Sequence, residues 1–158
     1  MAATLSTDRS AAPVGAGDSP LRLHALPHTG AKPCAQGEYE LRISPTRRAL
    51  MRVTPPSPGR RTALLLALHG AGSGGAPGGL YAFRGAWTLP GLVIVAPAAA
   101  STAWTRGARD VRFVDRARQR AFARCRIDPR RVAVGGFPSG AGMALWLGLS
   151  NGDLSFGL

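Results

Sequence analysis

The pattern of apolar and polar positions divides the chain at about residue 36. Residues 1–36 are rich in Ala, Gly, Pro, Ser and Thr and carry no apolar period, which predicts a flexible leader. Beyond it, Glu40–Ile43 and Leu50–Val53 are short segments separated by Ser44-Pro45 and the basic Thr46-Arg47-Arg48, the pattern of two strands joined by a turn. Thr62–Leu68, Gly91–Pro97 and Arg131–Gly136 read as strands buried on both faces, as in a parallel sheet. From Asp110 to about Arg126, Val111, Val114, Ala117 or Arg118, Ala121, Phe122 and Cys125 recur at helical spacing. Asp110 suits the start of that helix, and Ile127-Asp128-Pro129 ends it. Gly140–Leu149 reads as a second, more apolar helix. Alternating strands and helices predict an α/β domain over residues 37–158, with a mostly parallel sheet and right-handed crossovers.

Composition narrows the class. Apolar residues make up 45% of the 158, enough for a packed core, and no Gly-X-Y period suggests a fibre. No apolar run approaches the roughly 18 residues of a membrane span. Residues 1–20 lack a basic start followed by an apolar stretch, so the expected compartment is the cytoplasm. Cys34 and Cys125 lie 91 positions apart, with no Cys-x-x-Cys and no histidine at zinc spacing. They are expected as two free thiols, with a single disulfide as the alternative, and no metal or other cofactor is expected. His24 and His28 flank Pro27, which argues against a helix that could pair them on a metal; both are expected as solvated loop histidines.

Two places carry a mechanism. His69-Gly70-Ala71-Gly72 opens a loop without bulky side chains at the end of a buried strand, where backbone N–H groups can approach a ligand. No Gly-Lys-Ser/Thr follows, so a nucleotide P-loop is excluded. The second place is Val132-Ala-Val-Gly-Gly-Phe-Pro-Ser-Gly-Ala-Gly-Met-Ala-Leu145, which reads as strand, sharp turn and helix, the context of a nucleophile elbow. Together with Leu66-Ala-Leu-His-Gly-Ala-Gly72, Asp110-Val-Arg-Phe-Val-Asp115, Asp128-Pro-Arg-Arg-Val-Ala-Val-Gly-Gly-Phe137 and Leu147-Gly-Leu-Ser-Asn-Gly-Asp-Leu154, this stretch resembles the α/β hydrolases. More narrowly, it resembles the phospholipase/carboxylesterase-like serine esterases. The resemblance implies a partial α/β-hydrolase fold, hydrolysis of a small carboxylic ester or thioester, and an oxyanion hole built from Ala71 and Ser139.

The departures from that pattern bear on activity. In Gly-x-Ser-x-Gly the flanking glycines are Gly136 and Gly140, which puts Pro138 at the nucleophile position. Proline has no hydroxyl, and its ring holds φ near −65°. Ser139 is the only neighbouring hydroxyl, and it would serve as nucleophile only if the turn slipped by one residue. The order of a triad in this fold is Ser, then Asp or Glu, then His. Asp153 is the only acid after the elbow, no histidine follows it, and His69 is expected to be structural. The expectation is therefore a truncated, impaired or inactive relative of an esterase. Its C-terminal strands would be missing, leaving the strand at 131–136 as an exposed edge open to self-association.

Charge adds an alternative. Lys and Arg number 20 against 8 Asp and Glu, giving +12, and every cation except Lys32 is arginine. The excess concentrates in residues 106–131, where Arg112, Arg116, Arg120 and Arg124 form an i,i+4 row. Without a nucleic-acid motif and with few aromatics, the row reads as the solvated face of a crossover helix, so nucleic acid is not expected as a partner. The alternative function is a non-catalytic binding protein that uses this helix or the open sheet edge.

Overall fold

The computed structural model describes residues 22–24, 30, 32–152 and the backbone of 156–157. Among the described residues, six strands and three α-helices build a three-layer sandwich: β1 (Gly37–Arg42), β2 (Arg48–Val53), β3 (Thr62–Leu68), α1 (Ala76–Ala82), β4 (Leu92–Pro97), α2 (Ala108–Arg124), β5 (Ile127–Gly136), α3 (Ser139–Ser150) and β6 (Phe156–Gly157), with a short 3-10 helix at Arg84–Ala86. The sheet order is β1-β2-β4-β3-β5-β6. β1, β2 and β4 pair antiparallel in turn, whereas β4, β3, β5 and β6 run parallel.

The strands alternate their side chains between two helical layers. Leu64, Leu66, Leu68, Val93 and Val95 face α2 and α3, where they pack with Val111, Val114, Phe122, Met143 and Leu147. Ala67, Ile94 and Ala96 face the other way, toward Leu80 of α1. This two-sided burial is why β3 and β4 are continuous apolar runs. α1 was not visible in the sequence, because Pro77, Gly78 and Gly79 give it low intrinsic helicity. Close packing holds it instead: a Cβ on Gly79 would stand 2.7 Å from the Ala67 carbonyl oxygen.

β5 begins at Ile127, four residues earlier than expected. Thr62 pairs with Ile127, and the register then shifts before Leu64 meets Val132. Such an irregularity accommodates Pro129, which has no N–H to give to a ladder. The free edge of β5 is shorter than anticipated, since β6 pairs with Val132 and Ala133. α3 buries Met143, Ala144 and Leu147 but leaves Leu145 and Leu149 53% and 72% exposed.

Parts of the stretch expected as a flexible leader are packed against the domain. Leu23 is 5% exposed within the main core, and its N–H donates to Asn151 Oδ1 at 2.9 Å. His24 is not a free loop residue, because its Nδ1 lies 2.5 Å from Asp115 Oδ2. Buried Arg118 donates to Asp115 Oδ1 at 3.0 Å and also to the His24 carbonyl. Burial pulls the Arg118 guanidinium below the usual arginine range, against the raising influence of Asp115. Its Nε and Nη1 have no partner among the described residues. His28 lies outside the described residues.

The two cysteines are bonded to each other, not free. Their Cα atoms are 5.1 Å apart, well within disulfide range. Backbone bonds explain the approach across 91 positions: the Gly30 N–H donates to the Phe122 carbonyl at 2.6 Å, and the Arg126 N–H to the Lys32 carbonyl at 2.9 Å. The segment thus runs along the C-terminal end of α2, a contact that spacing alone cannot reveal.

A candidate active site at the carboxyl end of the sheet

β3 and β5 are adjacent and parallel, so the two turns singled out in the sequence emerge side by side. The crevice beyond the carboxyl ends of parallel strands is where open α/β sheets bind ligands. Three glycines weld the turns together. A Cβ on Gly70 would stand 2.6 Å from the Phe137 carbonyl oxygen, and one on Gly136 would be 2.2 Å from the carbonyl carbon of Gly140. A Cβ on Gly140 would be 2.2 Å from the Leu68 carbonyl oxygen and 2.7 Å from that of His69. The Phe137 N–H donates to the Leu68 carbonyl at 3.1 Å and fixes the start of the elbow. The glycines flanking position 138 therefore have the spatial role an elbow requires: they let α3 begin directly against β3.

Between them, Pro138 sits at φ −66° and ψ −37°, an ordinary helical conformation. It is the N-cap of α3 and offers no side-chain capping bond. Ser139 is the first helical residue. Its Oγ is buried and has no partner among the described residues. On the neighbouring loop Ala71 is exposed, and no described backbone acceptor takes its N–H or that of Ser139. The next residue, Gly72, is engaged, its N–H donating to the Thr102 carbonyl at 3.1 Å.

His69 is buried and fully committed to structure. Its Nδ1 bonds the Gly70 carbonyl at 2.8 Å, and its Nε2 accepts from the Ala99 N–H at 2.9 Å. A carbonyl can only accept and an N–H only donate, so the ring is neutral with its proton on Nδ1. Trp104 packs on the ring at 5.0 Å and donates its Nε1–H to the His69 carbonyl at 2.9 Å. His24 is remote from the elbow. The strap holding it reaches Asn151, and the 12 residues of α3 place that end about 18 Å from Ser139. Among the described residues, then, no imidazole stands ready to take a proton from Ser139.

Asp110 supports this end of the sheet from below, a role that its sequence position showed only as a helix start. It is fully buried and accepts hydrogen bonds from the Ala100 N–H at 2.9 Å and from the Thr105 N–H and hydroxyl at 3.0 Å. It also pairs with Arg47 at 3.0 Å. The Arg47 guanidinium lies 3.6 Å from the centre of the Phe113 ring and donates to the Ala98 carbonyl at 2.7 Å. Burial holds its proton affinity below the usual arginine range, against the raising effect of Asp110. One carboxylate thereby ties the β1–β2 turn and the loop after β4 to the first turn of α2.

No protein-family model matches the sequence, and no curated protein matches it either. Solved structures do match the fold. The S-formylglutathione hydrolase of Staphylococcus aureus superposes with a TM-score of 0.57 at 14% identity, covering 75% of this chain and 53% of that one. A thermostable esterase superposes with a TM-score of 0.53 at 17% identity, covering 76% of this chain and 38% of the other. The protein has an α/β-hydrolase fold and spans about half, or less, of the length of these two structures.

Proposed function

We propose that the chain is the N-terminal portion of a carboxylic ester or thioester hydrolase domain, of the phospholipase/carboxylesterase-like class, in which this polypeptide is catalytically silent. The observation that carries the reading is Pro138, held between Gly136 and Gly140 at a close-packed elbow. The setting of a nucleophile is kept, whereas the hydroxyl at position 138 is not, and among the described residues no imidazole faces Ser139. The N–H groups of Ala71 and Ser139, which have no backbone acceptor among the described residues, support a residual oxyanion site. The outward Leu145 and Leu149 support a domain that extends beyond α3, because a helix apolar on all sides is normally covered on all sides. That face, together with the unpaired part of β5, is also where a second copy would associate.

The test is hydrolysis of p-nitrophenyl acetate and butyrate by the 158-residue chain, with Ser139→Ala as control. The expected result is no turnover that the substitution removes; serine-dependent turnover would overturn the reading. The Cys34–Cys125 bridge favours an oxidising compartment over the cytoplasm anticipated from the sequence. Among the described residues no helix is long and apolar enough to cross a membrane.

A further inference from the structure

The arginine row on α2 is not uniform once folded. Positions four apart advance by slightly more than one turn, so the row drifts around the helix by about 40° per step. All four side chains are exposed, but Arg120 and Arg124 turn toward the edge strand β1. There they meet Arg42 and, together with Glu40, Leu41 and Ala123, line a groove of about 310 Å³. Among the described residues Glu40 is the only carboxylate in the lining, and it is paired with Arg48 at 3.0 Å. Arg42, Arg120 and Arg124 have no carboxylate partner among the described residues. Arg124 is braced, with its guanidinium 4.5 Å from the centre of the Tyr39 ring.

We propose that this groove binds the phosphate group of a small phosphorylated ligand. Three like charges bordering one groove from a strand and a helix repel one another, and among the described residues the lining offers nothing to offset them except an acid already in use. An anion placed between them reverses that repulsion, and a cleft concentrates the field on it. Guanidinium forks match the oxygens of phosphate, which offers acceptors to donors arriving from different elements. The volume lies at the small end of ligand pockets, the size of a compact phosphorylated molecule. This site is separate from the elbow and does not depend on any hydrolytic activity.

The test is calorimetric titration of the full chain with sodium pyrophosphate at constant ionic strength. Two charge-matched double variants are compared, Arg42→Gln/Arg120→Gln in the groove and Arg60→Gln/Arg112→Gln outside it. The proposal expects saturable one-site binding, weakened by about tenfold or more in the groove variant and by less than about twofold in the other. Equal weakening in both variants would mean that net charge alone attracts the anion, and would overturn the site. Absence of saturation would overturn it too, as would binding only to phosphatidylcholine vesicles containing phosphatidic acid and not to pyrophosphate. A thermal melt of each variant within 2 °C of the parent, a readout separate from binding, distinguishes lost contacts from lost folding.

Discussion

The two turns that meet at the carboxyl end of the sheet use glycine for opposite reasons. In the loop after β3, Gly72 and Gly74 have φ of 68° and 81°, and a Cβ on either would meet nothing within 4 Å. There the residue is needed for its backbone freedom, and space is plentiful. At the elbow, neither Gly136 nor Gly140 has positive φ, yet a Cβ on either would collide with main chain at 2.2 Å. There the residue is needed for its absence of volume. Positions 72 and 74 can therefore be altered at a modest conformational cost, whereas the elbow glycines, like Gly70 at the start of the first loop, are part of a close backbone contact. A glycine pattern that looks alike in sequence hides tolerant positions and intolerant ones.

Substitutions can sharpen or break this contrast. Gly140→Ala has the largest expected effect, because the Leu68 carbonyl is held by the Phe137 N–H and the His69 carbonyl by Trp104. A loss of about 3 kcal/mol, or roughly 6–12 °C in Tm, is expected for a chain of this size. A melting temperature within 2 °C of the parent would break the comparison. Asp110→Asn comes next, at about 3 kcal/mol or somewhat less by chemical denaturation. It leaves Arg47 without its ion-pair partner and loosens the loop after β4, whose Thr102 carbonyl holds Gly72. Gly74→Ala should cost only about 1–2 kcal/mol, the penalty for placing a side chain at positive φ in open space. If it equalled Gly140→Ala, the first loop would be as tightly packed as the elbow. Ser139→Ala should have the smallest effect and the opposite sign, up to about 1 kcal/mol stabilising, since it removes a buried hydroxyl without a partner. A clear destabilisation would show that the hydroxyl is satisfied.

Much of the sheet was legible because its strands are buried on both faces. Thr62–Leu68 has the same limits in sequence and in structure. α2 was legible because one side is apolar, although Arg118 on that side is fully buried through Asp115 and the His24 carbonyl. α1 was not legible, since its glycines suit packing and disfavour an isolated helix. The seating of Leu23 was invisible because Leu21, Leu23 and Leu26 are too few, before Pro27, to establish a period. At the site, the elbow could be read from its glycines and Pro138. The commitment of His69 Nε2 and the pairing of His24 with Asp115 depend on contacts 30 and 91 positions away. The groove was half visible: the α2 row stood out, but Arg42 joins it only through folding.

The bridge between Cys34 and Cys125 has a consequence for breakage. It closes a covalent ring containing β1 through β4, α1 and α2, with the exposed Arg60-Arg61 turn on its circumference. A single cut in that turn opens the ring without parting the molecule, because both new ends remain attached through the sulfurs. A nicked chain should migrate as one species until a reductant is added and as two afterwards. The exposed turn can therefore be severed without releasing either half of the domain.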